Sequence, residues 1–343
     1  MCEDGGFQPS ISVLLPVHMR EPSAAVLRQL DQAIASVLEQ EYSGQMELLL
    51  IDNGPTDVAE AMRKAQISMP PALRLLRTKR ANGLAYALNF GLRAAQHDWI
   101  ARIDADDSWC PGKIAAQTAR IAQDREITIL GTGMVRNFED GRPRHVHIRP
   151  DGWRPILKFF VAVGCPFPHG SILALKAVYK LLGGYPQSVE TAHCEDFALW
   201  GVWLRFFKPA MIEKVFYNYT VSHSHVSAVH HDQQIKATLR VIAQLESLGI
   251  SERLPDLMGD IARMLRISLL QAGVLCYRLW HFRPAQVRLP EAVLSSLSAV
   301  LTDRRIQRTA EAPEPLDIGD VLGSFGPVTL EIDPCDTVVV GVY

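Results

Sequence analysis

The first hundred residues alternate between two hydrophobic periods, and this alternation is the feature that most restricts the fold. Short apolar runs predict four strands, at 11–15, 47–51, 73–76 and 99–103. Apolar residues at helical spacing predict a helix in each interval, at 24–38, 57–67 and 83–95. The run at 47–51 is apolar almost throughout, which is typical of a strand buried on both faces of a parallel sheet. Repeated strand–helix units predict an α/β fold, with a mostly parallel central sheet flanked by helices and right-handed crossovers.

Beyond residue 110 the hydrophobic pattern is less regular. Helices are predicted at 111–122 and 195–207, and strands at 127–138 and 144–148 form a hairpin around the turn at 139–141. Helical spacing also extends from about 233 to 301, with breaks expected at Pro255, Pro284 and Pro290. We therefore predict an α/β domain at 1–230, a helical domain at 231–303, and a tail at 304–343 that packs back on the protein or is partly irregular.

The charge balance argues against nucleic acid as a partner. The chain has 35 basic and 37 acidic residues, a formal net charge of -2, whereas a polyanion-binding protein usually has a basic excess. Its hydrophobic content of 48% is that of a globular protein, which rules out a disordered or fibrous chain. The six cysteines include no C-x-x-C pair, so we expect reduced thiols rather than a disulfide framework or a zinc site.

The sequence predicts neither a signal peptide nor a membrane-spanning segment. The N-terminal residues are polar and acidic, unlike a signal peptide. The most apolar later stretch, 267–280, is shorter than the ~20 residues needed to cross a bilayer, and Gln271 and Arg278 interrupt it. We expect a cytoplasmic protein whose membrane contact, if any, is peripheral and at the inner face of the membrane.

Polar residues follow three of the predicted strands. The segments are Pro16-Val17-His18, Asp52-Asn53-Gly54 and Asp104-Ala105-Asp106-Asp107. Ligands of open parallel sheets bind outside the carboxyl ends of the strands, so the three segments could share one ligand. A nucleotide would suit them, with Asp52 or Asn53 at the base edge and Asp104 at the ribose. Asp106 could hold a divalent cation between the phosphates. Asp and Asn are also common in turns and caps; that alternative is favoured for Asp52 alone, and a site for the three segments together.

The sequence lacks the two common phosphate-binding loops. No G-x-G-x-x-G follows the first strand, and no G-x-x-x-x-G-K-[ST] occurs anywhere. A dinucleotide-dependent dehydrogenase and a P-loop ATPase are therefore excluded. Phosphate charge would have to be neutralised by a metal and by side chains such as Lys79 or Arg80.

A series of short motifs, in a fixed order and spacing, carries a resemblance to a known family. The motifs are P-V-H at 16–18, S-V-L-E-Q at 36–40, L-I-D-N-G-P-T-D at 50–57, N-G-L-A-Y-A-L-N-F-G-L at 82–92, I-D-A-D-D at 103–107, H-G-S-I-L at 169–173, G-G-Y at 183–185 and E-D-F-A-L-W at 195–200. Over about residues 10–228 the chain resembles the family 2 glycosyltransferases with a GT-A fold. A lone D-x-D is a weak signal, whereas the ordered series is a strong one.

The resemblance implies a binding site for a nucleotide-sugar donor. In the family, the loop after the first strand and an acidic pair after the second hold the nucleotide. The donor-binding residues implied here are Pro16, Val17, His18, Asp52, Asn53, Arg80, Asn82, Gly83, Asp104 and Ala105. Asn53 departs from the family, which usually has a second aspartate at this position, although an amide can still hydrogen-bond a pyrimidine edge.

The resemblance also implies a divalent metal, Mn²⁺ or Mg²⁺. Asp104 and Asp106 match the D-x-D, whose second carboxylate binds the metal in the family. Family members often have a histidine that ligates the metal or binds the diphosphate, and Ser222 stands at its expected position. His223 and His225 are close enough in sequence to take that role, and solvated loop histidines remain the alternative for both.

Asp196, in the pair Glu195-Asp196, matches the family's catalytic base. Inverting transfer needs one carboxylate to accept the proton of the acceptor hydroxyl as that hydroxyl attacks the anomeric carbon. Adjacent side chains on a helix diverge by ~100°, so Glu195 is not expected to share this task. The alternative for both is a charge that stabilises a helix N-terminus. His169 and Gly170 match residues beside the family's acceptor pocket, and Trp200, one turn after Asp196, could form the floor of that pocket.

We therefore expect an inverting, non-processive glycosyltransferase that uses a nucleotide sugar, most simply a UDP-sugar. The acceptor would be a glycan, a lipid-linked glycan or a protein. Processive members carry Q-x-x-R-W and membrane helices, and Gln233 and Gln234 are not followed by Arg-Trp. The helices after 231 could bind the acceptor, form a homo-oligomer or dock on a membrane. Two alternatives stay open: a nucleotidyltransferase that makes sugar nucleotides, and a non-catalytic glycan- or nucleotide-binding module.

Overall fold

The computed structural model describes residues 8–78, 83–188, 191–221, 231–247, 251–282, 292 and 295–296. Within these ranges nine strands form one mixed sheet. The strands are β1 (Ile11–Val17), β2 (Met46–Asp52), β3 (Leu73–Arg77), β4 (Trp99–Arg102), β5 (Ser108–Trp109), β6 (Ile129–Phe138), β7 (His145–His147), β8 (Leu173–Leu175) and β9 (Pro209–Val221). The main helices are α1 (Ala24–Leu38), α2 (Val58–Lys64), α3 (Leu84–Ala94), α4 (Lys113–Gln123), α5 (Trp153–Ala162), α6 (Lys176–Leu182), α7 (Glu195–Phe206), α8 (His231–Ser247), α9 (Leu254–Leu265) and α10 (Leu269–Phe282), with a 3₁₀ turn at His169–Ser171.

The strand order is β3-β2-β1-β4-β8-β6-β9-β5, and β7 pairs with β6. Strands β3, β2, β1 and β4 run parallel to one another. Strand β8 is antiparallel to both of its neighbours, β4 and β6, so β4 and β6 point the same way. The predicted α/β fold with a mostly parallel sheet is confirmed, and the parallel ends of β1, β2, β4 and β6 define one edge where a ligand can bind.

Both faces of the central strands are covered, which explains their nearly continuous apolar sequences. All seven residues of β1 are buried, and successive side chains belong to different cores because a strand alternates its faces. Leu14 packs in the core shared with α3 and α7, whereas Val13 and Leu15 pack in the core shared with α1 and α2. Buried on both sides, the sheet holds its strand ends in fixed positions.

Several element boundaries differ from those predicted. Strand β1 does not end at Pro16 but continues to Val17, with Pro16 opposite Ile51 in the parallel ladder. The predicted hairpin at 139–141 is confirmed, since β7 pairs antiparallel with β6 and Arg136 lies opposite His145. The structure adds α5, α6, β8 and the 13-residue strand β9, none of which stood out in the sequence.

The helices after residue 231 pack against the α/β part of the chain. Residues of α8, α9 and α10 belong to the same hydrophobic core as α3 and α7. The predicted break at Pro255 coincides with the start of α9, whereas Pro284, Pro290 and the tail after 304 lie outside the described residues. Among the helices that the structure describes, none is both long and apolar enough to cross a bilayer. The division of the chain near residue 231 stays a prediction.

Candidate active site

The edge formed by the strand ends is extended on one side by strand β6. Ala101 of β4 pairs with Leu173 of β8, and Leu173 pairs with Leu130 of β6, so these three residues lie level. Strand β6 then continues from Gly131 to Phe138 before it turns into β7. The β6–β7 hairpin therefore projects beyond the end of β4, and the candidate site lies between β1 on one side and this hairpin on the other.

Asp52 is buried beneath the candidate donor site. Its side chain is 1% exposed and accepts hydrogen bonds from the N–H groups of Gly54 and Val58, at 3.3 Å and 3.2 Å. Arg77 of β3 completes the environment with an ion pair of 2.9 Å to Asp52. The prediction that Asp52 contacts the nucleotide base does not fit this arrangement, because its oxygens already hold the turn into α2 and the end of β3.

Asn53 bridges the ends of β3 and α3. Its Nδ2 donates to the carbonyl of Gly83 at 3.0 Å, and its Oδ1 accepts from the hydroxyl of Thr78 at 2.9 Å. Its carbonyl is 2.9 Å from Nδ1 of His18. Since Asn53 is 3% exposed, its amide positions the neighbouring segments. Among the described residues at this corner, His18 and Gly83 are exposed.

Arg102 of β4 connects the D-x-D to the rest of the site. Its side chain is 3% exposed, and its guanidinium forms an ion pair with the carboxylate of Asp104. Burial alone would lower the pKa of Arg102, but the charge of Asp104 and those of other nearby groups, including Asp196, raise it above its ordinary value. Arg102 therefore stays charged, and it is the buried counter-ion of this acidic cluster.

Asp107 forms the buried end of the acidic segment, residues 104–107. Its carboxylate accepts hydrogen bonds from the hydroxyl of Tyr217 and, at 2.7 Å, from the N–H of Thr220. Burial, then the charges of Asp104 and Asp106, raise the pKa of Asp107 well above its ordinary value. The pair of strands β5 and β9 is thus joined to the segment that contains the D-x-D.

The described residues contain no group of three His, Cys, Asp or Glu arranged to hold a metal ion. The charges of Asp104 and Asp106 both act on Asp107, so these carboxylates lie close together, as the ligands of a cation would. Mg²⁺ and related ions often bind through one or two carboxylates and take their other ligands from substrate phosphates and water. The residues present fit a metal held in this way, jointly with a bound diphosphate.

Asp196 and Glu195 begin helix α7, and they differ in accessibility. The Asp196 side chain is 25% exposed, whereas Glu195 is 7% exposed. Burial raises the pKa of Asp196, although the N–H of Phe197 and the charge of Arg102 oppose that change. Burial and the adjacent charge of Asp196 raise the pKa of Glu195 to about 7. Asp196 is therefore the carboxylate that an incoming group can reach.

His169 lies beside Asp196 in the 3₁₀ turn. Its Nδ1 is 3.7 Å from Oδ2 of Asp196, and its Nε2 is 2.8 Å from the hydroxyl of Tyr185. Burial, and then the charge of Arg102, hold the pKa of His169 well below its ordinary value, so the ring is neutral at neutral pH. Asn89 fixes Tyr185 in turn, by two hydrogen bonds of 2.8 Å to its backbone N–H and carbonyl.

Gly170 and Trp200 support the site from below. A side chain at Gly170 would collide with the hydroxyl of Tyr217, so glycine leaves room for the contact between Tyr217 and Asp107. Trp200 is 0% exposed and meets the His169 ring edge to face, with 6.0 Å between ring centroids. The prediction that Trp200 faces a bound sugar is inconsistent with this burial; the ring packs under His169 because α7 is buried on nearly all sides.

The remaining sequence-predicted residues fall into two groups. Pro16 and Val17 are buried in β1, and Ala105 is partly buried between the two aspartates of the D-x-D. Arg80, Asn82, His223 and His225 lie outside the described residues.

Three residues of the site were not singled out in the sequence analysis. Arg102 could have been recognised in the sequence, since it is the one charged residue within the apolar run Trp99–Ile103. Tyr185 was less conspicuous, and only its place in the G-G-Y motif pointed to it. Nothing in the sequence pointed to Tyr217, because β9 was not predicted and only the path of this strand directs the tyrosine at Asp107.

Comparisons with known proteins show which family the chain is similar to. Residues 12–180 match the model of the family described as Glycosyl transferase family 2. Over 201 residues the chain is 33% identical to the putative glycosyltransferase EpsE of Bacillus subtilis strain 168, which covers 58% of this chain and 67% of that protein. Over 191 residues it is 26% identical to the amylovoran biosynthesis glycosyltransferase AmsE of Erwinia amylovora, which covers 55% of this chain and 67% of that protein.

The fold also has a counterpart among solved structures. The crystal structure of S. aureus TarS 1-349 in complex with UDP-GlcNAc superposes with a TM-score of 0.53 and covers 85% of this chain and 80% of that chain. The two sequences are 14% identical. At that level the similarity establishes the fold alone.

Proposed function

The chain belongs to the family 2 glycosyltransferases, and from this premise we propose that it transfers a sugar from a UDP-sugar to an acceptor hydroxyl with inversion at the anomeric carbon. The acceptor is a glycan, a lipid-linked glycan or a protein, and the relative named for amylovoran biosynthesis supports a role in making a polysaccharide. The complex of TarS with UDP-GlcNAc supports a uridine nucleotide as the donor's leaving group. The observation that carries the proposal is the position of Asp196, partly exposed and within the electrostatic reach of Asp104.

The donor occupies the edge formed by β1, β2 and β4. His18 and Gly83 are exposed at the corner where β1 ends and α3 begins, and they line the nucleotide side together with Arg80 and Asn82, which the family resemblance implies. Asp52 and Asn53 hold the loops of that corner rather than the nucleotide itself. The contact of the donor with Asp104 and Ala105 then brings its diphosphate to the acidic segment.

Mn²⁺ or Mg²⁺ is the proposed cofactor, and Asp104 and Asp106 are the side chains that would hold it. When bound, the ion stabilises the negative charge that develops on the departing diphosphate. Arg102 holds Asp104 in place, because its buried guanidinium forms an ion pair with that carboxylate.

Asp196 is the proposed general base. Its raised pKa makes it a better proton acceptor than an ordinary aspartate, because catalytic efficiency improves as the pKa of the base approaches the working pH. His169 is neutral and lies 3.7 Å from Oδ2, so its N–H can orient the carboxylate or the acceptor hydroxyl. Glu195 is buried beside Asp196, so an acceptor hydroxyl does not reach this second carboxylate.

The variant Asp196→Asn tests the proposal, with the exposed Asp31→Asn on α1 as the matched control. We expect the protein to hydrolyse a UDP-sugar slowly even without an acceptor, so release of UDP in the presence of Mn²⁺ is the assay. We expect Asp196→Asn to reduce turnover about 10²- to 10⁴-fold, the usual contribution of a general base. The upward thermal shift caused by UDP and Mn²⁺ should persist, because the donor site is unchanged.

Two outcomes would contradict the proposal. Full turnover in Asp196→Asn would remove this residue as the base. UDP binding without turnover of any UDP-sugar, across varied acceptors, would indicate a non-catalytic module.

A further inference from the structure

A cluster of cationic side chains lies on the β6–β7 hairpin, close to the site but outside the proposed donor contacts. The cluster consists of Arg136 on β6, His147 on β7 and Arg149 just after β7. Arg136 and His147 share a face of the hairpin, because Arg136 lies opposite His145 and alternate residues of a strand point the same way. The charges of Arg149 and Arg136 both lower the pKa of His147, after burial, which shows that the three groups are close together.

The positive charge of the cluster is not neutralised by any carboxylate in the part of the chain that the structure describes. Neither Arg136 nor Arg149 forms an ion pair there, and the nearby acids are directed elsewhere: Asp140 pairs with Arg142, and Glu139 accepts from Gln29. After burial and the opposing effect of Cys165, the charge of Arg136 contributes to lowering the pKa of Arg149 below its ordinary value. Two like charges held side by side without a counter-ion favour the binding of an anion.

The hydrogen-bonding capacity of the cluster is also unused. Nε of Arg136, Nε2 of His147 and Nε of Arg149 are buried and have no hydrogen-bond partner among the described residues. The two guanidinium groups are supported by aromatic rings instead, Arg136 over Tyr219 at 5.7 Å and Arg149 over Phe159 at 4.9 Å. Guanidinium groups placed in this way can present paired N–H donors to a phosphate or a carboxylate.

The sheet register and the thiol of Cys165 connect the cluster to the candidate site. In the pairing of β6 with β9, Arg136 lies opposite Tyr219 and Met134 opposite Tyr217, so Arg136 shares a sheet face with Tyr217. Tyr217 in turn bonds to Asp107. On the other side, the charge of Arg149 acts on the thiol of Cys165, whose Sγ lies 3.9 Å from Oδ2 of Asp196. Arg149 therefore acts electrostatically on the thiol that contacts the proposed base.

We propose that Arg136, His147 and Arg149 bind an anionic group of the acceptor, a phosphate or a sugar carboxylate, and so place the neighbouring hydroxyl at Asp196. This inference rests on the proposed function. The proposed function assigns the donor diphosphate to other side chains, Asp104 and Asp106, and the test below measures its binding separately. The diphosphate belongs to the acidic segment at the end of β4, where a metal is needed to hold it.

Binding of three small probes to the full chain tests the inference. The probes are digalacturonate, glycerol phosphate and the neutral maltose, titrated calorimetrically at low salt with UDP and Mn²⁺ present so that the donor site is filled. We expect at least one anionic probe to bind and maltose not to bind, and the preferred anion distinguishes a uronate acceptor from a phosphate acceptor. The variants Arg136→Gln and Arg149→Gln should each weaken that binding tenfold or more, whereas Arg144→Gln, on the exposed side of the same hairpin, should not.

The possible failures are distinguishable. Equal binding of maltose, or unchanged binding of both anions in Arg136→Gln and Arg149→Gln, would overturn the inference while leaving the donor and the base untouched. Weaker UDP binding in these variants would assign the cations to the donor and would also overturn it. Absence of UDP binding in the unmodified protein would instead count against the proposed function.

Discussion

Two adjacent carboxylates at the start of α7 have different environments, although the sequence presents them as a pair. Glu195 is buried and Asp196 is partly exposed, since consecutive residues of a helix point ~100° apart. The sequence predicted that they would not share one task, and the difference in burial supports that prediction. The sequence could not give the size of the difference, because burial depends on the packing of α7 within the whole core.

Glu195 should make the stability of the protein depend on pH. Its pKa is raised from 4.5 to about 7 in the folded protein, so folding favours the protonated form. The stabilising effect is present below about pH 4.5 and is lost as the pH rises towards 7. By linkage, the free energy of unfolding should decrease by about 2 kcal/mol from this residue between pH 5 and pH 8. Glu195→Gln should remove that decrease, as measured by urea denaturation at both pH values.

The matched control for this prediction is the exposed Glu41→Gln, which should leave the pH dependence of stability as it is in the unmodified protein. An equal loss of stability between pH 5 and pH 8 in Glu195→Gln would show that another group causes it.

Sequence reasoning identified the acidic residues of the site more readily than the residues that hold them. Asp104, Asp106 and Asp196 follow predicted strand or helix boundaries, where the chain order alone places polar groups at one sheet edge. Arg102 and Tyr217 reach the same place from within strands, and only the sheet register shows this. Asp52 lies at a strand end too, yet a partner on β3 covers it.

At the scale of elements, Asn89 and Tyr185, here called the clamp, connect α3 to the 3₁₀ turn that contains His169. Asn89 of α3 is 5% exposed and binds the backbone of Tyr185, whose hydroxyl holds His169. Gly184 precedes this tyrosine with φ of +80°, and a side chain there would collide with Asn89. The two motifs that contain Asn89 and Tyr185 are about a hundred residues apart and form one structural unit.

Replacing Asn89 by alanine should slow transfer more than it weakens donor binding. The substitution leaves two buried backbone groups of Tyr185 unpaired, each at a cost of about 1–3 kcal/mol. We expect turnover of the UDP-sugar to fall at least tenfold, with UDP affinity unchanged, when both are measured at a temperature where circular dichroism shows a folded protein. The milder Tyr185→Phe keeps both backbone bonds to Asn89 and removes the hydroxyl that bonds to His169 and Tyr179. It should reproduce the loss of turnover with a smaller loss of stability. Normal turnover in both variants would refute this role for the clamp.

The elements that were predicted and those that were missed differ in how uniformly they are buried. Strands β1 and β2 are buried on both faces, so their sequences are apolar and conspicuous. Strand β9 is half-polar along its length because its second half lines the site, with Asn218 and Thr220 among its residues. Helix α5 contains Pro155 in its first turn. A proline interrupts the regular pattern by which a helix is recognised in a sequence, so this helix was not predicted.

At the scale of the whole molecule, the helices α8–α10 share a hydrophobic core with the α/β part of the chain. Phe206, near the end of α7, packs against Tyr277 and Trp280 of α10, with ring centroids 5.6 Å and 5.7 Å apart. Gly273 allows α10 to approach α7 closely, since a side chain there would collide with the carbonyl of Phe206 and the ring of Phe207. The contact is made of backbone and aromatic groups, which cannot move aside easily.

We therefore expect one cooperative unfolding transition for the α/β part and the helices α8–α10, and Gly273→Ala tests this. Overpacking at such a site costs about 1–3 kcal/mol, and the whole transition should move to lower denaturant. Gly259→Ala on α9 is the matched control: a side chain there meets nothing within 4 Å, so the loss of chain entropy should stabilise the protein by about 0.4–1 kcal/mol. The measurement is urea unfolding followed both by circular dichroism and by UDP binding. If Gly273→Ala moved only the helical signal and left UDP binding intact, the segment after 231 would be a separate domain, as the sequence alone predicts.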